Sequence, residues 1–562
     1  MIQFGDGDEQ KRLDLLRKRE AEELAQILSQ KYGVDYVDLS LVAVNADALR
    51  LIPEAEARDA EAAAFGRVGK KVSVVVRTPE KPKTEAALRK LTEAGYEVTS
   101  YLGSEESLRR AFERYADLSY ASESKAGVFD LAGDELEKLI AQADKVDKIS
   151  SLIGAAIELK RAYRVTRILQ IILAGGLGTG ASDVHFEPEE VSVRLRYRLD
   201  GILTDVLMFD HETYRLLLSR LKLLSGLKLN VSEEAQDGRF SIKVKNEEIE
   251  MRTSILPGAY GETLVLRILN PKTIGVPLEE LGLEPKLREL IEKEIQKPNG
   301  MVLNTGPTGS GKTTTLYAFL RKVNSPDSKI ITIEDPIEYH LQGVVQTQVE
   351  KEKGYTFASG LRSALRQDPD IIMVGEIRDE EVATTAINAA LTGHLVFSTL
   401  HTNDAAGSFP RLIDLGVSEK VLSSSVNVAM AQRLVRKLCP VCKKQRPANA
   451  EETLILERIA GGIVDKSLVP PARNLIWEPG NDPSCEKCGG RGYKGRLGIF
   501  EAIFMNRELE EVLRSKPSER EIFAVARKQG IPSLAEDGII KVLRGITSIE
   551  ELKRVVDLDA TF

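Results

Sequence analysis

The stretch GMVLNTGPTGSGKTTTLYAFLRK, residues 300–322, decides the fold of the largest part of this chain. Met301, Val302 and Leu303 form a short apolar run suited to a buried strand. Residues 306–313 match G-x-x-x-x-G-K-[ST], and Thr314 to Lys322 has helical spacing. Strand, glycine-rich loop and helix in that order make a phosphate cradle. Glycines let backbone N–H groups turn toward an anion with no Cβ in the way, and the helix N-terminus adds a favourable dipole. Gly306, Thr308, Gly309, Ser310, Gly311 and Thr314 are therefore expected to line a nucleotide site. Lys312 would place a point charge on the β- and γ-phosphates, and Thr313 a hydroxyl on Mg2+.

A site that removes a phosphate also needs acidic groups for a metal ion and for an attacking water. Ile330 to Ile333 leads into Glu334 and Asp335, with Glu338 close behind, and Ile371 to Val374 leads into Gly375 and Glu376. In an open parallel sheet, ligands sit beyond the carboxyl ends of the strands, where these side chains would emerge. Either acid alone could be an N-cap; both behind a phosphate loop point to chemistry. Gly375 would keep side-chain bulk away from the phosphates. A third run, Leu395 to Leu400, is bracketed by His394 and His401, two of only five histidines. Residues 275–438 alternate strand and helix, which predicts a mostly parallel sheet.

The remainder of the chain sets bounds. Its 562 residues suit roughly three to five domains at about 100–200 residues each. The 78 basic and 85 acidic side chains leave a net charge of −7, and there are one Trp and 15 Phe. That is poor equipment for gripping nucleic-acid phosphates or stacking unpaired bases, so no nucleic-acid partner is expected. Met1 to Glu20 is mostly charged and unlike a secretory signal. The longest apolar run, Ile168 to Leu177, falls short of the ~20 residues a membrane span needs. A soluble, cytoplasmic protein is expected.

Residues 1–118 read as a small α/β module, with helical spacing in Lys11 to Tyr32 and Thr84 to Ala94 and strands at Lys71 to Arg77 and Glu97 to Tyr101. Residues 119–149 read as a linker with one charged helix. In 150–272, Ser150 to Leu173 predicts a long helix that stops at a glycine break, Gly175 to Gly180. The pattern then switches to period two. Val191, Val193, Leu195, Tyr197 and Leu199 share one face, and Arg194, Arg196 and Arg198 the other, a solvated or inter-subunit face. Further strands are expected at Phe240 to Val244, Glu248 to Ile255 and Glu262 to Leu269. The P-loop domain would span 273–438. Residues 439–562 begin loop-rich and end helical, with a capping box at Thr547 to Glu550 before Leu552 to Val556.

Four cysteines are too few for a disulfide scaffold of this length. They fall as two C-x-x-C pairs, Cys439/Cys442 and Cys485/Cys488. Four thiolates suit tetrahedral Zn2+, Gly489 and Gly490 permit a knuckle's tight turn, and two matched pairs favour structural zinc over a redox dithiol. The 42 residues between the pairs must loop out.

These motifs together resemble the secretion ATPase superfamily, specifically the type IV pilus extension and type II secretion motors. SDVHFEP (182–188) is similar to its second N-terminal domain signature, and ITIEDPIEY (331–339) to its aspartate box. RQDPDIIMVGEIRD (366–379) is similar to its Walker B region, and GHLVFSTLHTND (393–404) to its histidine box. The tetracysteine pattern fits the same family. The resemblance implies a PAS-like domain over 150–272 joined to a RecA-like ATPase domain, with ATP held between them in a ring of six chains. Glu376 would then activate the water, while Glu334, Asp335 and Glu338 organise water and Mg2+ and His401 assists. Arg252 and Arg267 would sense the γ-phosphate from the second domain, with Arg362 and Arg366 as a supporting pair and His394 near the cofactor.

YGVDYVDLS (32–40) resembles the family's first N-terminal domain, which docks on an inner-membrane platform protein. No R-L-G-x-x-L block is present, so no cyclic dinucleotide ligand is expected there. The implied function is a cytoplasmic ATPase that drives pilin assembly and touches the membrane only through partners. Type II secretion is the alternative, and a nucleic-acid translocase a weaker one.

Overall fold

A computed structural model of the chain describes residues 20–39, 42, 44–68, 70–118, 128–129, 133–158, 161–244, 247–271, 275–471 and 474–559. Of the helix expected over Lys11 to Tyr32, residues 20–32 are helical and 11–19 lie outside the described residues. Among the described residues no helix is long and apolar enough to cross a membrane.

The first sheet has the order Asp35–Tyr36, Glu97–Leu102, Lys71–Val76, Ala62–Val68. Consecutive Val74, Val75 and Val76 are all fully buried. Since strand side chains alternate between faces, this sheet is covered on both sides.

The second sheet runs Val128–Phe129, Gln236–Val244, Glu247–Leu256, Thr263–Leu269, Asp183–Pro188, Val193–Leu199, Ile202–Phe209. Val193, Leu195, Tyr197 and Leu199 are buried as the alternation predicts, whereas Val191 precedes the strand and is exposed. The arginines of the other face are paired within the chain: Arg194 with Glu189 and Arg196 with Glu187, both at 2.6 Å, and Arg198 with Asp183 at 3.3 Å.

Two expectations change here. The helices Gly133–Gln142 and Val146–Ile157, with Ala143 between them, bury Leu136, Leu139, Ala143, Ile149 and Ile153 in the same core as Phe186 and Tyr197. Residues 133–149 are thus packed structure rather than linker; dense charge on their outer face masks a short apolar stripe. The single long helix is instead two, Val146–Ile157 and Arg161–Thr179, and the second runs straight through the supposed glycine break. A Cβ on Gly175, Gly176 or Gly178 would lie 2.7 Å from Ile149 Cδ1, 2.8 Å from Ile268 Cδ1 or 2.6 Å from Ile140 O. These glycines admit close neighbours to a helix that packing, not propensity, maintains.

The third sheet carries the phosphate loop. Its order is Val345–Gln348, Ile330–Glu334, Ile371–Val374, Leu395–Leu400, Gly300–Thr305, Val426–Leu438, Tyr493–Phe504. The first six are parallel and the last is antiparallel to its neighbour. Every residue of Gly300–Thr305 is buried, and Lys312–Val323 is the helix that follows the loop. The residues from 493 onward are not a separate body, as the boundary at 438/439 implied. Tyr493–Phe504 completes this sheet, and Ile499, Ile540 and Leu552 share a core with Leu303 and Leu400. The last helix, Ile549–Val555, is capped one residue later than expected, by the Ser548 hydroxyl accepting from Glu551 N at 3.2 Å. Thr547 instead donates to Arg436 O at 2.8 Å.

Candidate active site and cysteine cluster

Gly306, Gly309 and Gly311 have φ of 147°, 80° and 94°, values that a side chain would strain. A Cβ on Gly306 would lie 2.6 Å from Gln432 O, and one on Gly311 2.7 Å from Gln432 Nε2. The strand Val426–Leu438 is therefore the floor of the loop. Gly311 caps the helix Lys312–Val323, so the first, unpaired helical amides face the loop. The Ser310 hydroxyl is buried without a hydrogen-bond partner, and Thr313 stands exposed beside it. Lys312 Nζ donates to Gly306 O at 2.7 Å and Pro307 O at 3.0 Å. Burial pushes the Lys312 amine down to about 8, against the pull of Glu376 and with a further push from Arg433. Unsatisfied donors around a cation that burial penalises fit a polyphosphate, and the exposed Thr313 hydroxyl fits the accompanying Mg2+.

Glu376 follows the strand Ile371–Val374 and is the acid best presented to this loop. Its side chain is 12% exposed, forms an ion pair with Arg378, and has Oε2 3.4 Å from His401 Nε2. Gly375 serves packing rather than phosphate clearance: a Cβ there would meet Ile333 O at 3.3 Å and Phe357 Cε1 at 3.4 Å.

The other expected residues separate into groups. Glu334 is buried, and its carboxylate accepts from the Tyr317 hydroxyl, Thr332 Oγ1 at 2.5 Å and Gln346 Nε2 at 3.1 Å. Burial pushes its pKa up. Its carboxylate is thus committed to these three donors, while Asp335 beside it is exposed. Glu338 lies 3.6 Å from Arg252, which also donates to Ile337 O at 2.5 Å, so the second sheet reaches the P-loop sheet here. Arg267 stands directly opposite Arg252 in the strand register, 59% exposed, with Nε 3.1 Å from Asp183. Arg362 pairs with Glu381, and Arg366 donates to Ser363 Oγ at 3.1 Å; these partners lie outside the phosphate loop. His394 is corrected outright. Its Nδ1 lies 3.1 Å from Ala389 O, before the start of Leu395–Leu400. A six-residue strand spans about 20 Å, which puts His394 at the opposite end of the sheet from His401. Bracketing a strand on both sides cannot bring two residues together.

Residues 158–554 match the family described as type II/IV secretion system protein. The chain belongs to that family. It is an ATPase with a P-loop fold, and residues 32–122 match the MshEN domain. It is 40% identical over 478 residues to the type II secretion system protein E of Aeromonas hydrophila, covering 85% of this chain and 91% of that one. It is 36% identical over 535 residues to the type IV pilus assembly ATPase PilB of Myxococcus xanthus, covering 95% and 91%. Among solved structures, the Yersinia pseudotuberculosis ATPase DotB superposes with a TM-score of 0.51 at 20% identity, covering 72% of this chain and 95% of that one, a likeness of fold.

In this secretion ATPase the four cysteine sulfurs lie within 4.8 Å of one another, with Cys439–Cys485 at 3.8 Å and Cys442–Cys488 at 3.6 Å. Tetrahedral Zn–S bonds of about 2.3 Å require S–S separations of about 3.8 Å, so the cluster fits Zn2+ and is too open for disulfides. Backbone hydrogen bonding at Cys488 leads the effects that pull the Cys485 thiol down to about 7, whereas burial pushes the Cys442 and Cys488 thiols up; a bound metal would have to displace their protons. The intervening segment does more than loop out: it forms the helix Ala450–Gly462 and a two-stranded sheet, Lys444–Pro447 with Leu475–Glu478.

Several site residues of the ATPase are silent in the sequence reading. Arg378, Tyr317, Gln346 and Gln432 take their importance from contacts across the sheet. Glu501, on the last strand, accepts from Ala405 N at 2.7 Å and Leu534 N at 3.0 Å. It ties the loop after His401 to the C-terminal helices. Burial raises its pKa from 4.5 to about 7, with Asp404 adding to the rise and the two amides and Arg433 opposing it. The folded state then holds the proton more tightly than the unfolded state. Glu501's contribution is therefore fully present below pH 4.5 and lost as pH rises through about 7, a change of about 3 kcal/mol. Glu501→Gln should remove that slope. Chemical unfolding between pH 4.5 and 8 should show the variant gaining on the wild type, and parallel curves would contradict it.

Proposed function

We propose that this ATPase is a hexameric motor for type IV pilus extension, with Glu376 as the general base. Water held between Glu376 and the γ-phosphate loses its proton to the carboxylate as its oxygen bonds to phosphorus. The β–γ bridging bond breaks, and ADP and inorganic phosphate leave. Lys312 and the loop amides hold the β- and γ-phosphates, the Thr313 hydroxyl would hold Mg2+, and His401 steadies Glu376. Mg2+ would neutralise developing phosphate charge when bound. Arg252 and Arg267 on the second domain, and Arg362 and Arg366 on the last helical turns before Asp368, would meet phosphate charge at a ring interface. Domains of 1–118, of 150–272 extended back to 133, and of 273–438 together with the 439–562 segment whose strand closes its sheet are the bodies such a motor would move. Zn2+ at the four cysteines is part of the same proposal, as is an inner-membrane platform protein as partner, with the chain in the cytoplasm.

The alignment with PilB, which runs through 95% of the chain, carries the pilus reading. The higher identity to a protein E, 42% over 448 residues in Pseudomonas aeruginosa, supports type II secretion as the second reading. Deleting the gene separates them. Loss of surface pili with secretion intact supports extension, and the reverse phenotype overturns it. Sedimentation of the ATP-bound protein should give six times the chain mass; a monomer under those conditions would contradict the ring.

A further inference from the structure

Hydrolysis as described leaves Arg433 unassigned, although it stands between two loops that carry the chemistry. Gln432 is locked against the P-loop strand and helix: its Oε1 accepts from Asn304 Nδ2 at 2.8 Å and Thr315 Oγ1 at 2.9 Å. That fixes the backbone from which Arg433 projects. One guanidinium nitrogen donates to Gln432 O at 3.0 Å and lies 3.0 Å from the Cβ position of Gly306, against the first glycine of the phosphate loop. The other donates to Asn403 O at 2.6 Å. The group is half-buried and bonds carbonyls rather than a carboxylate; Glu501 and Asp404 act on it only through their field.

Asn403 is two residues beyond His401, in the loop that leaves the strand Leu395–Leu400. That loop is also pinned by Thr402 N and Oγ1, both 2.8 Å from Thr305 Oγ1. Only Thr402 separates Asn403 from His401, so Arg433 holds this loop two residues from the imidazole that lies against Glu376.

We propose that Arg433 is a positioning residue for ATP hydrolysis: it clamps the His401–Asp404 loop onto the floor of the phosphate loop and thereby sets His401 against Glu376. The proposal rests on the assignment of Glu376 and His401 above. A guanidinium suits the task because its donors sit in a rigid planar fork that spans two carbonyls; a lysine has the charge without the fork.

The test is steady-state ATPase kinetics on the full-length protein carrying Arg433→Lys, Arg433→Gln, His401→Ala and the Arg433→Lys/His401→Ala pair, with nucleotide affinity measured by a fluorescent ATP analogue. Both Arg433 variants should lose roughly 10- to 100-fold in kcat, since misplacement of about 1 Å costs that much, with affinity and KM within about threefold. Retained affinity also shows that the variants fold. The double variant should be no slower than the slower single, because both changes remove the same placement. Wild-type kcat in Arg433→Lys would show that charge alone suffices and overturn the clamp, as would losses that multiply in the double variant. Wild-type turnover in His401→Ala would instead remove the pair on which the proposal rests.

Discussion

Glu376→Gln should lower ATP turnover by about 10³-fold while leaving nucleotide affinity within severalfold. The change keeps the side-chain volume and removes only the capacity to take a proton, and positioned general bases contribute about 10²–10⁴-fold. Glu376 is the acid that fits this role by geometry: it stands just beyond the strand Ile371–Val374, is 12% exposed, and faces His401 and Arg378. It also bears electrostatically on Lys312 in the phosphate loop. Glu334, by contrast, spends its carboxylate on Tyr317, Thr332 and Gln346. Phosphate release and analogue binding on the same preparation separate the two effects. Turnover above a third of wild type would return the role to Asp335.

Cys485→Ser should abolish zinc binding and destabilise the C-terminal part of the chain by more than about 4 kcal/mol, the range reached when a structural metal is lost. In isolated zinc fingers the metal contributes about 10–16 kcal/mol; here the sheet strand Tyr493–Phe504 would persist without it, so the loss should be smaller. The effect should reach beyond the cluster. Arg491, three residues past Cys488, donates to Cys488 O at 3.1 Å and pairs with Asp200 at 3.1 Å, while Gly495 N donates to Asp200 at 3.1 Å. Asp200 lies in the turn between Val193–Leu199 and Ile202–Phe209, so the knuckle also seats the second sheet. Elemental analysis should find about one zinc per wild-type chain and none in the variant. Metal-free wild-type protein with an unchanged melting profile would refute the zinc site.

How far the sequence could be read followed the range of the interactions involved. Leu395 to Leu400 and Ile371 to Val374 are strands with the bounds read from their apolar runs, because a fully buried parallel strand writes its burial into consecutive residues. Gly175 misled because a glycine that breaks a helix and one that admits a neighbour look alike until the neighbour is known. Residues 133–149 misled because four buried side chains among many charges leave little periodic signal.

By itself, the sequence determined the phosphate loop, the acids at the strand ends and the paired cysteines. Each rests on a local rule: glycine at positive φ, ligands at fixed short spacing, apolar runs where both faces are covered. Only the tertiary structure decided which acid faces the loop, that His394 and His401 lie at opposite ends of one strand, and that Gln432 and Arg433 form the floor under Gly306. It also decided that a strand beginning at Tyr493 closes the P-loop sheet. Those outcomes depend on sheet order and register across more than a hundred residues of chain, where hydrogen-bond geometry, not residue type, sets who meets whom. The four cysteines stand at the border between the two. Their spacing implied a single cluster, and the fold carried that cluster to Asp200 of the second sheet.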